Sequence, residues 1–261
     1  MTKITYTVGH DAELFLYDKD NMAYPGIGII GGDKTNPRPV DGGALQEDNV
    51  MAELNINPAS TADEFINDTK SVMASLSTIL APHNLHFKMM PFQVFEPKFL
   101  KSHQAREFGC EPLNNMNIRT AGGHIHIGLS DANFHPSART ALVKGCDVYI
   151  GLPLATVETS DRKSFYGKAG SFRHKQYGIE YRTPSNIWLS NVDSMRWIFE
   201  QCRIIARGTI SRLRNDDLTE QESIINDIGE NRLQDIINHC YSDDAYDICD
   251  RFGINLPNGL L

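Results

Sequence analysis

Asp11 with Glu13, His124 with His126, and Glu180 with Arg182 are pairs of ionisable residues with one residue between partners, and Glu53 with Asn55 repeats the spacing. In an extended chain residues two apart project from one face, so each pair would aim two polar side chains into the same space. The residues between and beside them are apolar: Ala12 and Leu14, Leu54 and Ile56, Ile125 and Ile127, Ile179 and Tyr181. A strand with one wet face explains any single pair. Solvated strand faces commonly carry Thr, Lys, Gln and Ser, whereas acids, imidazoles and an arginine would repel or lose solvation unless a cation or charged substrate lay among them. Together the pairs indicate a site.

The residue types point to metal-assisted phosphate chemistry. Hard divalent cations prefer carboxylate oxygens and keep bound waters, and phosphoryl transfer uses them to offset charge on the moving oxygens. Asp11, Glu13, Glu53 and Glu180 suit that task. One imidazole among them is compatible with Mg²⁺ or Mn²⁺, and Arg173 with Arg182 could grip an anionic phosphate through planar donor forks. The group Gln46-Glu47-Asp48-Asn49, just upstream of Glu53, offers a further carboxylate in Glu47 or Asp48.

Strands must present these pairs. Residues 4–17 are β-prone, the Gly- and Pro-rich stretch to Gly43 reads as a long loop, and Leu45 to Pro58 reads as a second strand. Thr61-Ala-Asp-Glu64 is a capping box opening a helix that ends near Pro82. His86–Phe95, His124–Leu129 and Ile179–Thr183 read as further strands, and Pro136 to about Thr156 as a helix with proline in its first turn. Helical spacing recurs from Val192 to Leu213 and from Glu220 to His239. Strands and helices without a regular βαβ beat predict an α+β class with an antiparallel or mixed sheet. No linker signal divides residues 1–261, so the chain is expected to form one domain, with its motifs within about 8–190 and helices over about 191–261.

The motifs bring a family to mind. Gly9-His-Asp11-Ala-Glu13 resembles the Glu-x-Glu metal strand of glutamine synthetase and the glutamate–cysteine ligases, with Asp for the first Glu. Gly122-Gly-His124-Ile-His126 is similar to their Gly-x-His-x-His strand, and Arg173 with Gly178-Ile-Glu180-Tyr-Arg182 to their Arg and Glu-x-Arg strand. Within that superfamily the chain most resembles the phage-encoded COOH–NH2 ligases, through Gly31-Gly-Asp-Lys34, Gln46-Glu-Asp48-Asn49 through Glu53, and Tyr177-Gly-Ile-Glu180-Tyr-Arg182. The resemblance implies a glutamine-synthetase-like catalytic domain: a curved, mainly antiparallel sheet with a polar concave face and helices on its outer face. It implies ATP, two or more Mg²⁺ ions with Mn²⁺ an alternative, and carboxylate and amine substrates, either small molecules or peptides. Glu13 and Glu53, completed by Asp48 or Glu47, would hold one cation, and Asp11, His124 and Glu180 the other. His126 would approach ATP phosphate, and Arg173 and Arg182 would stabilise the transferring phosphoryl group or grip the carboxylate substrate. For the catalytic step itself, a carboxylate among Glu47, Asp48 and Glu53 could take the proton of the amine.

Weaker candidates surround these. Lys34 and Lys168 could each reach a phosphate, although a lone lysine is more often solvated, and the glycines before Lys34 do not match a P-loop. His83, His86, His103, His135, His174 and His239 read as ordinary loop or surface residues, and Trp188 and Trp197 as core or interface aromatics. Five scattered cysteines without a Cys-x-x-Cys pair read as reduced thiols. A formal net charge of −8 argues against a nucleic-acid partner, and no apolar run suits a membrane span or signal peptide, so a cytoplasmic protein, in the host cytoplasm if phage-encoded, is expected. A homo-oligomer remains open. Two rival readings stand beside the ligase: a His-x-His metal hydrolase or oxygenase, and a nucleotide-binding scaffold without turnover. For the hydrolase or oxygenase the mid-chain His-x-His lacks the expected context, and against a scaffold the whole set of acids, imidazoles and arginines is present.

Overall fold

Strand β1, Tyr6–Tyr17, is the spine of the sheet, long enough to pair with different neighbours along its two halves. In the computed structural model, residues 5–102, 104–105, 117–130, 136–215 and 220–257 are described. Besides β1 the strands are β2 (Ala23–Tyr24), β3 (Arg38–Val40), β4 (Gly43–Asp48), β5 (Met51–Ile56), β6 (His86–Lys88), β7 (Phe92–Val94), β8 (Ile118–Thr120), β9 (Gly123–Leu129), β10 (Phe172–Lys175) and β11 (Gly178–Tyr181). The main sheet runs β10-β11-β9-β1-β5-β4-β3, with β2 and β6 on the far half of β1 and β7–β8 as a separate ribbon. Every described pairing is antiparallel, one of the two arrangements, antiparallel or mixed, that the α+β reading allowed.

The longer helices are α1 (Ala62–Leu80), α2 (Pro136–Cys146), α3 (Val192–Asn215), α4 (Glu220–Ile228), α5 (Glu230–His239) and α6 (Ser242–Phe252), and a four-residue helix spans Ser160–Lys163. Thr61 and Glu64 cap α1 reciprocally: the Thr61 hydroxyl accepts from Glu64 N at 3.2 Å, and Glu64 Oε2 accepts from Thr61 N at 3.1 Å. The apolar-face residues of the strands, Ala12, Leu14, Leu54, Ile125, Ile127 and Ile179, are buried in one core with Phe65 and Leu76 of α1 and Ile198, Cys202 and Ile205 of α3. Helices therefore cover the apolar face and leave the polar one open.

Several element boundaries depart from the sequence reading. Residues Leu45 to Pro58 are not one strand: the chain turns at Asn49, which adopts φ 57°, and β4 folds back on β5. Asparagine tolerates that left-handed conformation because its short side chain bonds locally. The stretch before Gly43 contains β2 and β3, and His86–Phe95 splits into β6 and β7. After α2 the chain widens into a π-helical turn over Asp147–Gly151. Gly229, at φ 89°, divides the segment from Glu220 to His239 into α4 and α5. His103, Cys110 and His135 lie outside the described residues.

Candidate active site

Strand register assembles the polar pairs. Asp11 lies opposite Asn55 on one side and His124 on the other; Glu13 lies opposite Glu53, which faces Gln46. His126 sits opposite Glu180, and Glu180 opposite Arg173. The side chains meet in a cavity of about 240 Å³ whose lining includes Asp11, Glu13, Asp48, Glu53, His124, His126, Arg173 and Arg182.

Two groups of donors emerge. In the first, carboxylate oxygens of Glu13, Asp48 and Glu53 lie within 4.8 Å of one another. In the second, Asp11, His126 and Glu180 satisfy the same distance. His124 belongs beside the second group, its Nδ1 3.2 Å from Asp11 Oδ1 and 3.8 Å from Glu180 Oε1. His126 Nε2 lies 3.1 Å from Asp11 Oδ2. The imidazole expected to meet ATP is thus as close to Asp11 as the one expected to hold a cation.

Charge separates the two groups. Burial, then the nearby Asp48, pushes the Glu13 carboxyl up to about 8 against the pull of a hydrogen bond from Gly122 N. Glu53 is driven well above the carboxylate range by burial and by Asp11, Asp48 and Glu13. Asp11 goes the other way: burial would raise it, but the two imidazoles hold it far below. Burial likewise works to raise Glu180, yet it stays low because Lys175, Arg182 and His124 surround it. Lys175 Nζ is 2.7 Å and Arg173 Nη1 3.2 Å from Glu180 Oε2, and Arg182 pairs with Oε1. In the first group burial and mutual repulsion keep Glu13 and Glu53 from ionising; the second group is already balanced.

Glu47 and Asp48 part company. Because β4 alternates, Asp48 shares the polar face with Gln46, while Glu47 lies opposite Ala52 on the other face. There Glu47 Oε1 accepts from Gly28 N at 2.8 Å and Gly31 N at 3.1 Å, and Oε2 accepts from Gln104 Nε2 at 2.9 Å. It ties down the glycine-rich loop instead of facing the cavity. Lys34, carried by that loop, lines the cavity with Pro37. Lys168 is exposed and lies apart from the lining, its carbonyl accepting from Thr183 Oγ1.

Local packing explains the placement. Gly122 N donates to Glu13 Oε2 at 2.7 Å, and a Cβ on Gly122 would stand 2.1 Å from His124 Nε2, so only glycine leaves room for that ring. Arg162 is buried, donating to Ala121 O at 2.9 Å, Thr183 O at 2.8 Å and Pro184 O at 3.0 Å. It clamps the entry to β9 against the exit from β11. Lys175, Tyr166, Gln46 and Asn55 also line the cavity. Lys175 had a sequence signal, being two residues from Arg173 and hence on its face; Tyr166, from a loop, had none.

Comparison with known proteins adds one finding on the sequence side. Over residues 107–226 the chain matches the family model described as phage phiEco32-like COOH.NH2 ligase-type 2. The match supports a carboxylate–amine ligase and agrees with the resemblance seen in the motifs. It spans His124, His126, Arg173, Glu180 and Arg182, while Asp11, Glu13, Asp48 and Glu53 precede it. Among solved structures, one titled "Apo GmaS without ligand" aligns with 98% of this chain and 71% of its own at 13% identity and a TM-score of 0.44. No curated protein matches. No helix among the described residues is long and apolar enough to cross a membrane.

Proposed function

We propose that this protein is an ATP-dependent carboxylate–amine ligase that uses Mg²⁺ and forms an amide through an acyl phosphate. The observation that carries the reading is the pair of donor groups meeting on one sheet face, Glu13–Asp48–Glu53 and Asp11–His126–Glu180, with Arg173, Arg182 and Lys175 beside the second. These residues fit divalent cations: the donors are hard oxygens and imidazole nitrogen, and Asp11 Oδ1 and His126 Nε2 are buried without an aligned hydrogen-bond partner. Bound there, Mg²⁺ would offset the charge of the polyphosphate and the substrate carboxylate.

The chain's own residues supply the rest. Arg173 and Arg182 hold the γ-phosphoryl group in line with a substrate carboxylate oxygen, which attacks phosphorus as ADP leaves. An amine nitrogen then attacks the acyl carbon, phosphate departs, and Glu53 takes the amine's proton. Glu47 has no part in this step, since it faces the other side of the sheet. Lys34 reaches the nucleotide from the loop, and the acid and amine are small molecules or peptides.

The test is ADP release by purified protein. ADP is expected only when Mg²⁺, a carboxylate and an amine are all present, with an amide of matching mass as product. Steady amide or ester hydrolysis without ATP would sink the reading in favour of a metal hydrolase. Glu180→Ala should cut ADP release at least 100-fold; unchanged ATP affinity together with unchanged biological activity would instead indicate a scaffold.

A further inference from the structure

His124 and His126 each keep one ring nitrogen for Asp11 and give the other to a phenol: Tyr166 Oη lies 3.1 Å from His124 Nε2, and Tyr177 Oη 2.8 Å from His126 Nδ1. The two phenols are built differently. Tyr177 is 43% exposed at the turn between β10 and β11. Tyr166 is held in place, with Arg162 Cζ 5.2 Å and Arg182 Cζ 5.4 Å from its ring centroid. Gly167, the next residue, has φ 76° and no room for a Cβ, which would stand 2.2 Å from Arg162 Nη1. The His124 ring is 3% exposed and confined between Gly122 and this phenol; that of His126 is 20% exposed.

We infer that Tyr166 is a positioning residue for cation binding, fixing the His124 ring and accommodating both of its neutral tautomers. Resting on the ligase reading above, the inference concerns His124, whose Nδ1 stands beside the second donor group, 3.2 Å from Asp11 Oδ1 and 3.8 Å from Glu180 Oε1. Without a cation, the Nδ1 edge of His124 faces Asp11 Oδ1 while Nε2 can accept from Tyr166. A cation between Asp11, His124 and Glu180 needs the Nδ1 lone pair, so the ring proton must reside on Nε2. A phenol oxygen both donates and accepts, so Tyr166 keeps its hydrogen bond in either state. Phenylalanine at this position would leave a buried Nε2–H without a partner in the cation-bound state alone. Loss of such an outer partner weakens metal binding by about 10–100-fold.

Mn²⁺ titration followed by electron paramagnetic resonance, with Mg²⁺ titration followed by ¹⁵N NMR of the histidine rings, tests this on the full chain. Wild type should bind two ions, and Mg²⁺ should move His124 to its Nε2–H tautomer. In Tyr166→Phe the weaker of the two affinities should fall about 10–100-fold. The other affinity and the melting temperature should hold, and the tautomer shift should need correspondingly more Mg²⁺. Tyr177→Phe, which removes the partner of the more exposed His126, should lower the weaker affinity less than Tyr166→Phe does. Unchanged binding in Tyr166→Phe, equal loss at both ions with a lower melting temperature, or loss in Tyr177→Phe alone would overturn the assignment. No Mn²⁺ binding by wild type would overturn the two-cation reading itself, a different failure.

Discussion

Glu53 concentrates the charge problem of the site in one side chain. It is buried beside Glu13, Asp48 and Asp11, and its carboxyl stands well above its usual 4.5. A raised folded pKa means that the associated stability is complete below the unfolded value and lost as pH rises through the folded one. Glu53→Gln keeps the shape and abolishes that ionisation. The metal-free variant should therefore be more stable than wild type at pH 9 and should lose most of its gain from Mg²⁺. Thermal melts with and without Mg²⁺ check both halves, and a variant less stable than wild type at pH 9 would count against crowding. Asp147 offers a test away from the cations. It accepts from Tyr181 Oη at 2.6 Å and Gly170 N at 3.0 Å, and burial raises it to about 6 from 3.8. Its contribution should be complete below about pH 4 and lost through about pH 6, amounting to about 3 kcal/mol. Asp147→Asn retains an acceptor for both donors, so its melting temperature should fall less than that of wild type between pH 5 and pH 8. Parallel curves would remove Asp147 from the pH dependence.

Elements fix what single residues cannot. Loss of Arg162 takes from Ala121 O its donor, while Thr183 O keeps Lys163 Nζ and Pro184 O keeps Gly123 N, so Arg162→Met should cost about 1–3 kcal/mol and loosen β9 against the end of β11. Gly122→Ala is aimed at the same junction but at geometry: a Cβ 2.1 Å from His124 Nε2 must displace the ring, and ADP release should drop more than 10-fold with the fold retained by circular dichroism. Normal turnover in this variant would mean that the ring position is not critical. What the sequence revealed divides along the same line. Period-two alternation made the faces of β1, β5, β9 and β11 readable, because strand geometry alone decides which side chains share a side. Asn49 was the blind spot. A single left-handed residue reverses the chain, and only the resulting parity separates Asp48 from Glu47. Tyr166 and Arg162 could not be read from spacing, since a loop and a four-residue helix carry them and only tertiary packing brings them to the strands.

At the scale of the whole molecule, the same sheet is stable on one face and strained on the other. Behind it, α1 and α3 bury a continuous apolar core, extended by Leu233, Ile236 and Ile237 of α5 and Ile248 of α6. In front, β1 and its neighbours hold Glu13, Glu53 and Asp11 out of water with too few cations to match the first group. The core can tolerate such a face because hydrophobic burial dominates the balance, while the mutual repulsion of the acids is released when a cation binds. Global stability should therefore depend on Mg²⁺. With free ion at 100 times its dissociation constant, the linkage gain is about 2.7 kcal/mol. Binding must displace the protons that Glu13 and Glu53 retain, so the gain should be large at pH 8.5 and shrink toward pH 6. Melting curves in EDTA and in millimolar Mg²⁺ across that range measure it directly. A Mg²⁺ effect that is absent at pH 8.5, or equally large at pH 6, would show that the carboxylates of β1, β4 and β5 do not hold the ion.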